Sequence, residues 1–310
     1  MKKADAYVTA NQEEAGRFLH GALMWRGSVT PRLLPGLLLA SCYPLILALI
    51  DRYWTPLPHL NVTPFEYIGA VLGVVLVFRT NAGYDRWWEA RKLWGGIVNA
   101  SRNILLAALN YGPDGAVWRR EITYWAIAFA FACKESLRQS QNFDELKDLL
   151  STQQIQELQA AQHMPSFAAG KIARLFDQAY RRHDINETVF KELERQRTYL
   201  IDCLGGCERI LKTPMPLVYA IKVRRFILIF LLLLPFSLIE KAGLNSVFIF
   251  LLVAYPLLSL DRIGFELQYP FSTNSLSHLP LHGICNTIKA NGLALLEAVT
   301  ASRNDNEDSF

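Results

Sequence analysis

Residues 63–95 read TPFEYIGAVLGVVLVFRTNAGYDRWWEARKLWG. Thr63-Pro64-Phe65-Glu66 has the form of a capping box with proline at the first helical position, a strong start signal. No further proline occurs until Pro113. The pattern therefore predicts one uninterrupted helix of roughly 35 to 45 residues, on the order of 60 Å long. Its first half is apolar and its second half carries both signs of charge. A hydrocarbon layer is only about 30 Å thick, so such a helix crosses it and continues into water. The charged half would be badly placed against lipid at membrane depth, and sits more comfortably at the centre of an assembly.

Three further apolar runs accompany this one, at Leu33–Ile50, Phe226–Ile239 and Val247–Leu260. The stretch FILIFLLLL at 226–234 is apolar on every side, which requires a large core or lipid. The four runs form two close pairs, joined by 51–64 and 240–246, so two helical hairpins are expected. Pro35, Pro44, Pro235 and Pro256 lie inside the runs and imply kinks or breaks. Basic residues gather on one side. Lys2, Lys3, Arg17, Arg26 and Arg32 precede the first run, and Arg79, Arg86, Arg91, Lys92 and Arg102 follow the second. Lys212, Lys222, Arg224 and Arg225 precede the third run and Arg262 follows the fourth, whereas the two connections hold only Arg52 and Lys241. The positive-inside rule then puts both termini in the cytoplasm and both connections outside. Several runs are short for a span, so buried helices of a soluble protein are the rival reading.

Composition agrees with a chain part in membrane and part in water. Among 310 residues, 51% are hydrophobic and 19% charged, with a mean hydropathy of +0.14. The net charge of +4 without a polybasic run gives no sign of nucleic-acid binding. The segment 119–139 reads as a buried soluble helix. Helices are also expected over 166–182, with Ile172, Leu175, Phe176 and Ala179 on one face, and over 186–201, with Val189, Leu193, Gln196 and Leu200 on another. No period-2 strand is evident, so the fold class is all-α. The five cysteines, Cys42, Cys133, Cys203, Cys207 and Cys285, are too scattered for a disulfide framework and read as packing residues. Met1–Gly16 lacks the apolar core of a signal peptide, and the polar tail 302–310 is expected to be disordered. His278 and His282 are four apart, but Pro280 disfavours a helical ligand pair. No nucleophile, metal or phosphate-loop motif is present, so an enzyme is not expected, and neither a cofactor nor a metal is. Within 85–92, Asp85, Glu89, Arg91 and Lys92 mix both signs and read as helix-to-helix ion pairs, with Glu89 and Lys92 at i,i+3 spacing. Trp87, Trp88 and Trp94 have the character of membrane-boundary aromatics.

The stretch FRTNAGYDRWWEARKLWG at 78–95 closely resembles the bestrophin family, especially its bacterial branch. WRGSV at 25–29, GGCERILKTPMPLVY at 205–219 and ELQYPF at 266–271 agree in the same order, so the resemblance runs from about 18 to 297. It implies a homopentameric channel for monovalent ions in a bacterial inner membrane. Spans are expected at about 30–52, 63–80 (continuing to about 103), 216–239 and 245–262, with cytoplasmic helical regions at about 81–212 and 263–300. It also implies a hydrophobic neck at Ala70, Val74 and Phe78 on the second helix, where Ala70 is smaller than the family's usual residue. A cytoplasmic aperture is implied at Thr188, beside Ile185 and Val189. Animal members bind calcium just after the equivalent of Pro270-Phe271. Here that stretch is STNSLSHLPL, without an acid, and only Asp261 and Glu266 lie near, so no calcium clasp is expected. Some bacterial relatives pass cations while the wider family is best known for chloride and other anions, so the resemblance implies monovalent cations first and a chloride or anion channel as the alternative. A non-conducting membrane scaffold or sensor is the alternative of another class.

Overall fold

The computed structural model describes residues 18–25 and 27–307. The expectations for Met1–Gly16, for Lys2, Lys3, Arg17 and Arg26, and for 308–310 concern residues outside the described ones. The regular structure of the described residues is all helical, without a strand. In chain order, α1 is Phe18–Ala22, α2 Thr30–Tyr53, α3 Thr63–Tyr111, α4 Ala116–Arg138, α5 Thr152–Ala160, α6 Met164–Arg181, α7 Glu187–Lys212, α8 Leu217–Ala242, α9 Ser246–Leu267 and α10 Leu281–Glu307, with 3-10 turns at Asp144–Leu146 and Gly243–Asn245. The backbone at 302–307, expected as a disordered tail, continues α10. The residues fall into two compact units, one of 18–88 and 214–278, the other of 89–213 and 279–307, and α3 contributes to both.

The first unit holds α2, the first part of α3, α8 and α9. Its core is aliphatic and aromatic, with Leu37, Leu72, Leu76, Val223, Ile227, Phe230, Leu234, Phe250, Ala254 and Leu257 in one cluster. α8 and α9 are joined by the Gly243–Asn245 turn, where Gly243 has φ +52, a region that favours glycine. Hydrogen bonds also link its segments: the Tyr43 hydroxyl donates to the Leu232 carbonyl at 2.8 Å, and the Leu60 amide to the Phe236 carbonyl at 3.0 Å. α2, α8 and α9 run through their internal prolines without a break. α2 and α3 are long and apolar enough to cross a membrane, and only 17% of each apolar stretch is buried. The core helix of a soluble protein would be mostly enclosed.

α3 has 49 residues, longer than expected. It starts at Thr63, with the Thr63 amide donating to Asn61 Oδ1 at 3.0 Å and the Phe65 and Glu66 amides to the Val62 carbonyl. Pro64 is therefore the second helical residue and Asn61, rather than Thr63, supplies the side-chain acceptor. The helix ends at Gly112, whose missing side chain makes room for the Trp118 ring: a Cβ there would lie 2.6 Å from two of its carbons.

The second unit is built on α4, which is enclosed almost throughout from Ile122 to Cys133 as expected for 119–139. α6 buries Ile172, Leu175, Phe176 and Ala179. α7 buries Leu193, Gln196 and Leu200, while Val189 is half-buried. α7 runs on past the expected 201 to Lys212, burying Cys203 and Cys207 against the second part of α3. There a Cβ on Gly96 would lie 2.6 Å from Cys203 Sγ, and one on Gly206 2.8 Å from Leu93. Trp94, read as a boundary aromatic, is wholly enclosed in this unit. Glu89 does not bond Lys92. It takes the Arg209 guanidinium of α7 at 2.6 Å, because a second helix brings a fork of donors to the carboxylate. A buried ion cluster links α4 to the following turn: Lys134 Nζ lies 2.9 Å from Glu135 and 3.0 Å from Glu145. Burial pulls the Lys134 ammonium down, but the hydrogen bonds to Glu135 and Glu145 outweigh it and hold the group above its usual range.

Candidate functional site

In the first unit α3 has two unlike faces. Leu72, Leu76, Arg79 and Gly83, spaced 4, 3 and 4 apart, are packed into the core. On the other side Tyr67, Ala70, Val71, Val74, Val77 and Phe78 stand uncovered, with Val74 55% and Phe78 65% exposed. The three residues assigned to the neck thus lie together on one open stripe, four apart, as helical geometry requires. Between Ala70 and Phe78 this stripe bears no charge and no hydrogen-bonding side chain. Of the three aperture residues, all in the second unit, Thr188 is exposed and Val189 half-buried at the start of α7. Ile185 is 5% exposed and precedes the helix.

Arg79 fixes the packed face. It is 0% exposed, and Nη1 lies 3.1 Å from Asp261 Oδ1 on α9. The other carboxylate oxygen of Asp261 accepts from Arg224 Nε on α8, also at 3.1 Å. One acid therefore ties three helices together. Close approach of α3 to α9 makes this possible: a Cβ on Gly83 would lie 2.9 Å from the Gly264 carbonyl, and one on Gly264 3.3 Å from Arg79 Cγ.

A second carboxylate organises the end of α9. Glu266, 2% exposed, accepts from Arg32 of α2 at 2.6 Å, from Arg262 at 2.8 Å and from the Leu276 amide at 2.8 Å. Burial pushes its carboxyl up, but the Leu276 amide and the two guanidinium groups outweigh that and hold it below the ordinary range. The segment that follows is pinned from two more sides. Arg32 Nη2 donates to the Asn274 carbonyl at 3.1 Å, and Trp87 Nε1 of α3 to the Ser277 carbonyl at 2.6 Å. Both acids near Pro270-Phe271 are thus engaged by arginines. Among the described residues no three His, Cys, Asp or Glu side chains converge as a metal site would need.

The sequence pattern does not reveal the pairs Arg79–Asp261, Arg224–Asp261 and Arg32–Glu266, since each joins residues far apart in the chain. Their charges were legible only as a basic flank and two isolated acids. Asn81 and Asp85, both exposed, continue the open stripe beyond Phe78 and lie outside the three residues expected for the neck. Their i, i+4 spacing was the available signal.

An open apolar stripe on a helix long enough to cross a bilayer, tied to its neighbours by enclosed ion pairs, defines an all-helical membrane protein. The chain belongs to the bestrophin family: the family described as "Bacterial/Fungal Bestrophin protein" matches residues 9–294. It is similar to proteins named voltage-dependent anion channel-forming protein. That of Ralstonia nicotianae is 34% identical over 81% of this chain and 83% of its own length. That of a Nostoc species is 35% identical over 87% and 89%, and YneE of Escherichia coli K12 32% identical over 88% and 89%. A crystal structure of a bacterial bestrophin homologue from Klebsiella pneumoniae matches with a TM-score of 0.78 at 30% identity, over 84% of this chain and 97% of that one.

Proposed function

We propose that the chain forms a homopentameric channel for monovalent ions, with α3 of each copy turning Ala70, Val74 and Phe78 towards a shared axis. The observation that carries this reading is the contrast across α3, where Leu76 and Arg79 are fully enclosed while Phe78, two and one residues away, stands 65% exposed. A membrane helix with a packed face and an open apolar stripe has a place for a partner there, and five such stripes make a neck. A ring of apolar side chains holds water poorly and gates by a small change in width, without moving charge. In this reading α2, α8 and α9 complete four spans, the ends of the chain lie in the cytoplasm of a bacterial inner membrane, and Thr188 with Val189 narrows the inner exit.

The apolar neck does not choose the sign of the ion. Resemblance to the bacterial branch implies cations ahead of anions, and that preference is adopted here. The names of the relatives favour anions as the second reading. Purified protein in liposomes under a salt gradient tests the channel itself. Wild type is expected to release ions, and Phe78→Ala to release them faster. No flux from either would leave a non-conducting membrane scaffold as the better account.

A further inference from the structure

The open stripe does not end at Phe78. Taking Ala70 as the origin and roughly 100° per residue, Val74 lies at roughly 40° and Phe78 at roughly 80° around the helix. Asn81 then falls at roughly 20° and Asp85 at roughly 60°, inside the sector that the neck residues define. Both are exposed. Asp85 is seven residues past Phe78, about 10 Å further along the helix axis.

The charged residues of α3 closest to Asp85 in the chain are otherwise engaged. Arg79 is enclosed against Asp261, and Glu89 is held by Arg209. Arg86, the neighbour in sequence, falls about 100° away around the helix and has its own partner. Among the described residues Asp85 has no hydrogen bond or ion pair. Beyond Phe78 it is the first charge on the open stripe, and its sign is negative. Lys92, the next charge in the same register, lies about 10 Å further on.

We propose that Asp85 is the residue that sets the charge preference of this channel, as a ring of carboxylates at the inner mouth of the neck that concentrates cations and turns anions away. The inference rests on the pore reading of α3 and deepens it by naming the residue that sets the permeant class. A charge on the wall of a water-filled vestibule acts over about the Debye length, about 10 Å at 0.1 M salt. One carboxylate from each subunit therefore raises the local cation concentration at the neck and lowers that of anions. The apolar neck supplies the gate and the acid supplies the sign.

The test is the reversal potential of purified protein in planar bilayers under a potassium chloride gradient, for wild type, Asp85→Asn, Asp85→Glu and Asp85→Lys. Wild type is expected to favour potassium. Asp85→Glu should keep that preference, Asp85→Asn should reduce the potassium-to-chloride permeability ratio at least about threefold, and Asp85→Lys should invert it. Should the lysine variant fail to assemble, Asp85→Cys on a Cys42→Ser background serves instead. A thiosulfonate reagent carrying a sulfonate should then restore cation preference, and one carrying a quaternary ammonium should abolish it. A conducting wild type that prefers chloride, or an Asp85→Asn channel with an unchanged ratio, overturns the proposal. Absence of conductance from both wild type and Phe78→Ala removes the pore reading, and this proposal with it.

Discussion

Asp261 serves two arginines, and the consequences of removing each partner are unequal. Asp261→Asn leaves the Arg79 guanidinium enclosed with no counter-charge, which costs about 3–5 kcal/mol when a buried pair is broken from one side. Arg79→Met removes the buried cation itself, while Asp261 keeps Arg224. Thermal unfolding in detergent should therefore show Asp261→Asn well below Arg79→Met, and equal losses would contradict the pairing described. Glu266 offers a pH test. Its folded carboxyl titrates below the ordinary 4.5, so its contribution is present above that value and fades as pH falls through the lower folded value. The acid side of the stability profile should flatten in Glu266→Gln. That variant should also lose about 1.5–3 kcal/mol at neutral pH, the range for hydrogen bonds to a charged group. The thiols give a third check. Burial pushes Cys285 up to about 12 and raises Cys133 and Cys207 as well. Maleimide added to native protein near pH 7.5 should leave these three unmodified by mass spectrometry until the fold is melted, because the thiolate is the reactive form.

At the scale of elements, what could be read from the sequence and what could not divide along physical lines. The long helix was legible because its signals are local: Pro64 at one end, no breaker before Pro113, and an apolar stretch passing into charge. The burial of α4 was legible from its apolar run and its length, and the buried faces of α6 and α7 from period, through residues such as Phe176 and Leu193. Pairings between helices were not. Nothing near Arg79 in the chain indicates Asp261, and the i,i+3 spacing of Glu89 and Lys92 suggested a pair that Arg209 pre-empts from another helix. Glycines were equally silent. Gly83 looks like a weak point within a helix, yet it allows the backbone of α9 to approach. Gly83→Ala would press a methyl group against the Gly264 carbonyl, which cannot yield without moving a helix. Gly264→Ala meets the Arg79 side chain at 3.3 Å and its carbonyl at an ordinary 3.6 Å, a milder approach. The first should destabilise by about 1–3 kcal/mol and the second by less, as read by detergent melting with the two variants side by side.

At the scale of the whole molecule, the uncovered apolar surface is the dominant feature. Phe226, Leu228, Ile229, Phe248 and Leu252 on α8 and α9, like Val74 and Phe78 on α3, are open in the single chain. Contiguous exposure of this kind on a lone soluble protein would promote aggregation. Lipid and neighbouring copies cover it in the proposed assembly. Light scattering of the detergent-purified protein should accordingly return five chains per particle. A monodisperse monomer would leave the stripe on α3 without an axis to face.

The unbroken course of α3 has one more implication, which concerns phase. Because no proline or loop intervenes between Phe78 and Asp85, the angle between them is fixed by residue count alone. Adding one alanine after Asn81 would swing everything downstream by roughly 100°, carrying the carboxylate off the open sector, whereas adding seven would return it to within roughly 20° of where it began. The helix behaves as a camshaft, on which the spacing between lobes matters as much as their shape.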